Sequence, residues 1–147
     1  MARLESSAEW QGGMEYKIQT GDHAITIDAP EIYGGQNRGP KPTYMLLAGL
    51  MGCTGMDVAS VLKKMRVSVE RISLKSSADV AEDDPHVFRS IDLAYYFEGD
   101  SSLPEHTEQI RKAIHLSKET LCCVSIMLSK SCPIRSTAYV NGKEFPL

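Results

Sequence analysis

The chain of 147 residues has no C-x-x-C pair, no run of lysine and arginine, no internal repeat and no low-complexity linker. Each absence excludes something. Without a linker, a repeat or a shift in composition, a single domain spanning 1–147 is expected. A hydrophobic content of 42% supports a core large enough to bury about two-thirds of the unfolded surface, so no disulfide scaffold is needed. A formal charge of −3 without basic runs argues against nucleic acid or an anionic membrane as partner. The nearest thing to a basic patch, "LKKMR" at 62–66, is a solvated helix end favoured by the macrodipole. The N-terminal "MARLESSAEWQGG" lacks the apolar core of a signal peptide, and the longest apolar runs fall short of a bilayer span, so a cytoplasmic protein is expected. The soft donors Cys122, Cys123, Cys132 and His115 include no C-x-x-C, and adjacent cysteines on a helix point about 100° apart, so no metal or bound cofactor is expected. His23, His86 and His106 are scattered and receive no role.

What is present has a clear order. Imperfect alternation with the turn signals "QGGM" and "TGDH" predicts a strand at 6–11 and a hairpin of 14–19 with 24–28. "APEIYGGQNRGPKP", 29–42, is loop by its glycine, proline and asparagine. A helix follows from Thr43 to about Met65, with Lys63, Lys64 and Arg66 at its end. Segments 67–80 and 86–99 alternate across the acidic turn "AEDDP" and predict two long antiparallel strands. Residues 103–130 carry helical spacing, with a break or re-entry at Ser117, whose hydroxyl is expected to cap the second segment. A last strand falls at 133–140. The order of strands, helix, strands, helices, strand predicts an α+β domain.

The first helix poses the main question. Leu46, Leu47, Leu50, Met51, Met56, Val58, Val61, Leu62 and Met65 cover more than the single stripe of a surface helix. Gly49, Gly52 and Gly55 interrupt it at a combined cost of roughly 3 kcal/mol relative to alanine. Spaced three apart, they form a row along which another backbone can approach closely. Cys53 lies beside that row, where a free cysteine either fills space or reacts. The second helical stretch carries "LCCVS" at 121–125, so two buried helices each present a cysteine. Arg38, in the glycine-rich loop, is either a solvated charge or a partner for a thiolate. Asp57, one turn beyond Cys53, raises a thiol pKa by itself but orients a cation if paired with Arg38 or a lysine.

The stretches "GPKPTYMLLAGLMGCTGMDVASVLKKM" and "LSKETLCCVSIMLSKSCPI" together resemble the OsmC/Ohr family, the osmotically inducible and organic-hydroperoxide-resistance proteins, in its OsmC-like, YhfA-like branch. The likeness extends over nearly the whole chain. It implies the OsmC-like fold, an antiparallel sheet wrapped around two central helices, in an intertwined homodimer with two active sites at the subunit interface. It also implies a thiol-dependent peroxidase for organic hydroperoxides. Cys53 matches the attacking, peroxidatic cysteine and Cys122 the resolving one, giving a Cys53–Cys122 disulfide reopened by an external dithiol, of lipoyl type in some branches. Arg38 is the candidate thiolate stabiliser. The position ten residues before the attacking cysteine, glutamate in Ohr and OsmC members, is Thr43. Cys123 stands at the variable second position of the motif, and Cys132 is an extra thiol entering the last strand. The alternative is a non-catalytic dimer of the same fold that binds a small apolar or thiol-reactive molecule at the interface cleft.

Overall fold

In the computed structural model, whose description covers residues 1–147, glycine turns set the first strands. β1 (Ser6–Trp10), β2 (Tyr16–Thr20) and β3 (His23–Ile27) form an antiparallel meander in that order. The turns between them need left-handed backbone, supplied by Gly13 at φ +56° and Gly21 at φ +57°. The ladder pairs Ala8 with Ile18 and Ile18 with Ile25. The expected strands at 6–11, 14–19 and 24–28 are therefore present within a residue or two.

The chain divides into two compact units, 1–46 and 47–147, which are described in turn. In the first, the Gly/Pro loop after β3 is organised by one buried carboxylate. Asp28 Oδ1 accepts the Ala29 N–H at 2.7 Å, and Oδ2 accepts the N–H groups of Gln36 and Arg38, each at 3.1 Å. The hydrogen bonds from Arg38 and Ala29 hold this carboxyl below the usual carboxylate range, against the opposing pull of desolvation. A short polar side chain thus satisfies backbone donors that an irregular loop would leave unpaired.

α1 (Pro42–Lys64) starts in the first unit and continues through the second. Pro42 occupies its first position, where a missing N–H costs nothing. The helix ends in a Schellman pattern: the Arg66 N–H bonds to the Lys63 carbonyl and the Val67 N–H to the Leu62 carbonyl. Val67 and Leu62 are both buried, which seals the cap and explains why the next strand begins later than the alternation from 67 suggests.

That strand, β4 (Arg71–Val80), pairs antiparallel with β5 (Phe88–Glu98), and β5 presents Ile91, Leu93, Tyr95 and Phe97 to the core with a period of two. A 3-10 turn at Leu103–His106 leads into α2 (Thr107–Leu116), a π-helical turn (Ser117–Leu121) and α3 (Cys123–Ser129). β6 (Ile134–Val140) and a further short strand, β7 (Lys143–Phe145), complete a sheet ordered β4-β5-β6-β7. The α+β class holds, with one qualification: β5 and β6 run parallel, because a helical crossover joins them, while the other ladders are antiparallel. The cap expected at Ser117 is not there. The π turn carries the chain past that residue, and α3 starts only after Cys122.

The core of the second unit joins Leu47, Leu50, Val58 and Leu62 of α1 to the buried face of β5, to Ile110, Ala113 and Ile114 of α2, and to Ile134, Ala138 and Val140 of β6. Within the chain α1 is therefore buried along one stripe, not on most sides. At about 2 kcal/mol per buried aliphatic side chain, four such residues outweigh the roughly 3 kcal/mol lost to the glycines. A Cβ added at Gly49 or Gly52 would meet nothing within 4 Å, whereas one at Gly55 would touch Leu74 Cδ1 at 3.3 Å. Within the chain the glycine row is therefore met only by a side chain, at Gly55, and not by the backbone expected to approach it. By length and composition α1 is also apolar enough to cross a bilayer, with an 18-residue window of mean hydropathy 1.6, which corrects the expectation that no apolar segment reaches a span. A third of that window is buried inside the fold.

Arg66 sits at φ +59°, a conformation that costs a residue with a Cβ about 1–2 kcal/mol. Loss of one exposed charge at a helix end costs about 0.3–1 kcal/mol, so relief of strain wins. Arg66→Gly should raise the melting temperature by about 2–4 °C in scanning calorimetry. A lower melting temperature would show that the cation matters more than the backbone.

Candidate functional site

The α1 stripe of Leu50, Thr54, Val58 and Leu62 fixes the rotation of the helix about its axis. Cys53 and Asp57 each precede a buried stripe residue by one position, about 100° around the helix, and so share a half-buried flank. Thr54 is held in place by its own hydroxyl, which donates to the Leu50 carbonyl at 2.8 Å.

Cys122 reaches the same place from the far side of the sequence. α2 runs into the π turn without a break, and the Cys122 N–H bonds five residues back to the Ser117 carbonyl at 2.8 Å. The inserted residue turns Cys122 inward, and its side chain is fully buried. Cys122 Sγ then caps α3 by accepting the Ser125 N–H at 3.3 Å. Ser117, also buried, uses its hydroxyl differently: Oγ donates to Asp57 Oδ2 at 3.1 Å, tying the π turn to α1.

The outcome is a cluster in which Cys53 Sγ, Cys122 Sγ and an Asp57 carboxylate oxygen lie within 4.8 Å of one another. Both sulfurs are free thiols. Burial, first, and then the hydrogen-bonding Cys53 thiol push the Cys122 pKa up to about 12, and the Ser125 N–H offsets only part of this. Cys122 is thus a protonated donor at neutral pH, and Cys53, half-buried on its flank, is the sulfur open to a small electrophile. Desolvation raises the phenol of Tyr95, fully buried on β5, to about 12, and its interaction with Thr54 offsets only part of this.

Arg38 belongs to the first unit, where its guanidinium meets the Glu15 carboxylate at 3.7 Å. The cation imagined for Asp57 is replaced by the Ser117 hydroxyl. Cys123 is exposed and Cys132 is buried at the end of α3, and neither joins the cluster. His115 lines a separate surface cleft of about 350 Å³, with Met65, Glu108, Arg111 and Glu119, that includes neither sulfur. Sequence reasoning missed the link from Ser117 to Asp57 and the self-capping of Cys122. The one visible signal was a long helical stretch with no glycine or proline after Pro104 to break it.

Comparison with known proteins adds a context for this geometry. The family model described as OsmC-like protein matches residues 35–137. Protein YhfA of Escherichia coli (strain K12) is 27% identical over 129 residues, 87% of this chain and 91% of that protein. Among solved structures, a hypothetical protein from Aquifex aeolicus VF5 superposes with a TM-score of 0.81 at 24% identity, covering 96% of this chain and 98% of that one. An organic hydroperoxide resistance protein from Legionella pneumophila superposes with a TM-score of 0.68 at 18% identity, covering 95% and 98%. At these identities the structural likeness bears on the fold, which is the OsmC-like one.

The two sulfurs should be told apart by alkylation. Because its pKa is raised, Cys122 stays protonated as pH rises until it approaches about 12, and its side chain is inaccessible. Iodoacetamide at pH 8 should modify Cys53 and the exposed Cys123 while sparing Cys122, as read by peptide mass mapping. Modification of Cys122 as fast as Cys123 would contradict the assignment.

Proposed function

Because the chain belongs to the OsmC-like family, we propose that it reduces organic hydroperoxides with its own thiols, Cys53 attacking and Cys122 resolving. The observation that carries the reading is the approach of a half-buried thiol to a buried, protonated one within 4.8 Å, on separate helical segments. The Cys53 thiolate attacks the distal oxygen, the O–O bond breaks, and the alkoxide leaves as an alcohol after taking a proton. Cys53 is left as a sulfenic acid. The Cys122 sulfur then attacks the Cys53 sulfur; its thiol proton and the sulfenic hydroxyl depart as water, and an S–S bond forms. Two free sulfurs within 4.8 Å need to close by no more than about 3 Å to reach bonding distance. An external dithiol, of lipoyl or similar type, restores both thiols by exchange and is itself oxidised to a disulfide. A reducing compartment such as the cytoplasm suits this cycle.

Arg38 is proposed to favour the Cys53 thiolate. Thr43 stands in place of the family glutamate, and the carboxylate of Glu15 lies 3.7 Å from this guanidinium. Apolar residues around Cys53, in "LAGLMG", favour alkyl and aryl hydroperoxides over hydrogen peroxide, since an organic group is buried at about 25 cal/mol per Å².

We further propose that the working form is a homodimer built on α1. Met56, 71% exposed, and the open space at Gly49 and Gly52 leave an apolar flank that a second copy would cover. In an isolated chain, Gly49→Ala with Gly52→Ala should stabilise α1 by roughly 1 kcal/mol per site. In a helix-packed dimer the added methyls should instead weaken association, seen as dissociation on dilution in analytical ultracentrifugation. A double variant that is more stable and equally dimeric would place the interface elsewhere.

One equivalent of an organic hydroperoxide should convert Cys53 and Cys122 to one intramolecular disulfide, found by peptide mapping. Cys53→Ser should abolish peroxide consumption, and Cys122→Ser should allow Cys53 to over-oxidise beyond the sulfenic acid. If all four thiols stay free, the chain has the fold without the peroxidase chemistry, and ligand binding at an interface cleft becomes the better reading.

A further inference from the structure

Cys53 and Asp57 stand one helical turn apart on the same flank of α1, and Cys122 Sγ approaches them from the end of the π turn. An i, i+4 pair on one helix with a third donor from another segment is the arrangement that chelates a small cation. The donor set is two thiols and one carboxylate, which suits a thiophilic divalent ion rather than magnesium or calcium.

We propose that the reduced chain binds one thiophilic divalent cation, zinc foremost, through Cys53 Sγ, Cys122 Sγ and one carboxylate oxygen of Asp57. The three atoms lie within 4.8 Å of one another. Zinc–sulfur bonds of about 2.3 Å and a zinc–oxygen bond of about 2.0–2.2 Å in a tetrahedron require the donors to draw together by roughly 1 Å, which side-chain rotation supplies. Asp57 is prepared for this: its Oδ2 takes the Ser117 hydroxyl, which fixes the orientation of the carboxylate. The Ser125 N–H does the same for Cys122 Sγ. Three protein donors leave a fourth position for water. Binding releases the two thiol protons.

The bound state and the disulfide exclude each other. When an organic hydroperoxide oxidises the metal-bound thiolates, two electrons pass from the sulfurs to the O–O bond, an S–S bond forms, and two solvent protons complete the alcohol and water. The cation is set free. Binding needs only the juxtaposition of the three side chains, and only the release by peroxide rests on the peroxidase reading.

Cobalt(II) chloride titrated into the anaerobically reduced protein is the test. A thiolate-to-cobalt charge-transfer band and the intense visible bands of a tetrahedral site should grow to one equivalent per chain and vanish when zinc is added. Cys53→Ser and Cys122→Ser should each lose the charge-transfer intensity by half or more, and Asp57→Asn and Ser117→Ala should weaken binding by about ten-fold or more. Cys123→Ser and Cys132→Ser should bind as the parent does, which guards against a variant that fails merely by unfolding. No charge-transfer band in the reduced parent, or a band that survives in Cys53→Ser and is lost in Cys123→Ser or Cys132→Ser, would overturn the site. Cobalt binding in a protein whose thiols resist peroxide would uphold the metal site and sink the peroxidase reading alone.

Discussion

The burial of one stripe of α1 is the constraint from which the site follows. Leu47, Leu50, Val58 and Leu62 are held against β5, α2 and β6, so the helix cannot rotate without exposing them. Each fully buried aliphatic side chain contributes about 2 kcal/mol, and a turn of the helix by one residue would put several at risk together. With the rotation set, Cys53 and Asp57 have one place to be. Their chemistry is a consequence of where leucines must go.

The pair of sulfurs is asymmetric for a reason that lies in solvation. Cys122 is in the dry interior, where forming a thiolate means giving up hydration that one backbone N–H does not replace. Cys53 sits on the boundary. Two chemically identical side chains thereby differ in access to solvent, as the proposed two-step thiol cycle requires: one sulfur to meet the oxidant and one to wait. Asp57, within 4.8 Å of both, is half-buried and hydrogen-bonded by Ser117.

Strands and the long helix were legible because alternation and proline or glycine punctuation are local signals. β4 and β5 pair across the acidic turn as their alternation suggested, from Arg71 opposite Glu98 to Ser77 opposite Asp92. The late start of β4 depended on a left-handed arginine, which composition does not announce. β7 is three residues long and offers no periodicity to detect. The candidates Cys53 and Cys122 were legible as two cysteines on two helices, and their proximity is what the fold adds. Ser117 was noticed for the right atom and the wrong partner: its hydroxyl does satisfy something, yet the recipient is sixty positions away in the chain. A π turn is invisible to a reading based on a period of 3.6, because one extra residue per turn shifts every later side chain without altering composition. That shift is what carries Cys122 inward.

Cys122 has one more property, which follows from its place as the cap of α3. A helix of seven residues has little stability of its own and depends on how its first free N–H groups are satisfied. Here the acceptor is a sulfur atom, so the start of the helix is wired to an oxidation state. The free sulfur accepts the Ser125 N–H, and rotation of Cys122 toward a second sulfur would change the direction of the lone pairs that this buried donor uses. In the proposed disulfide this cap would have to be remade, and Met127, exposed on the same short helix, lies where such a change reaches the surface.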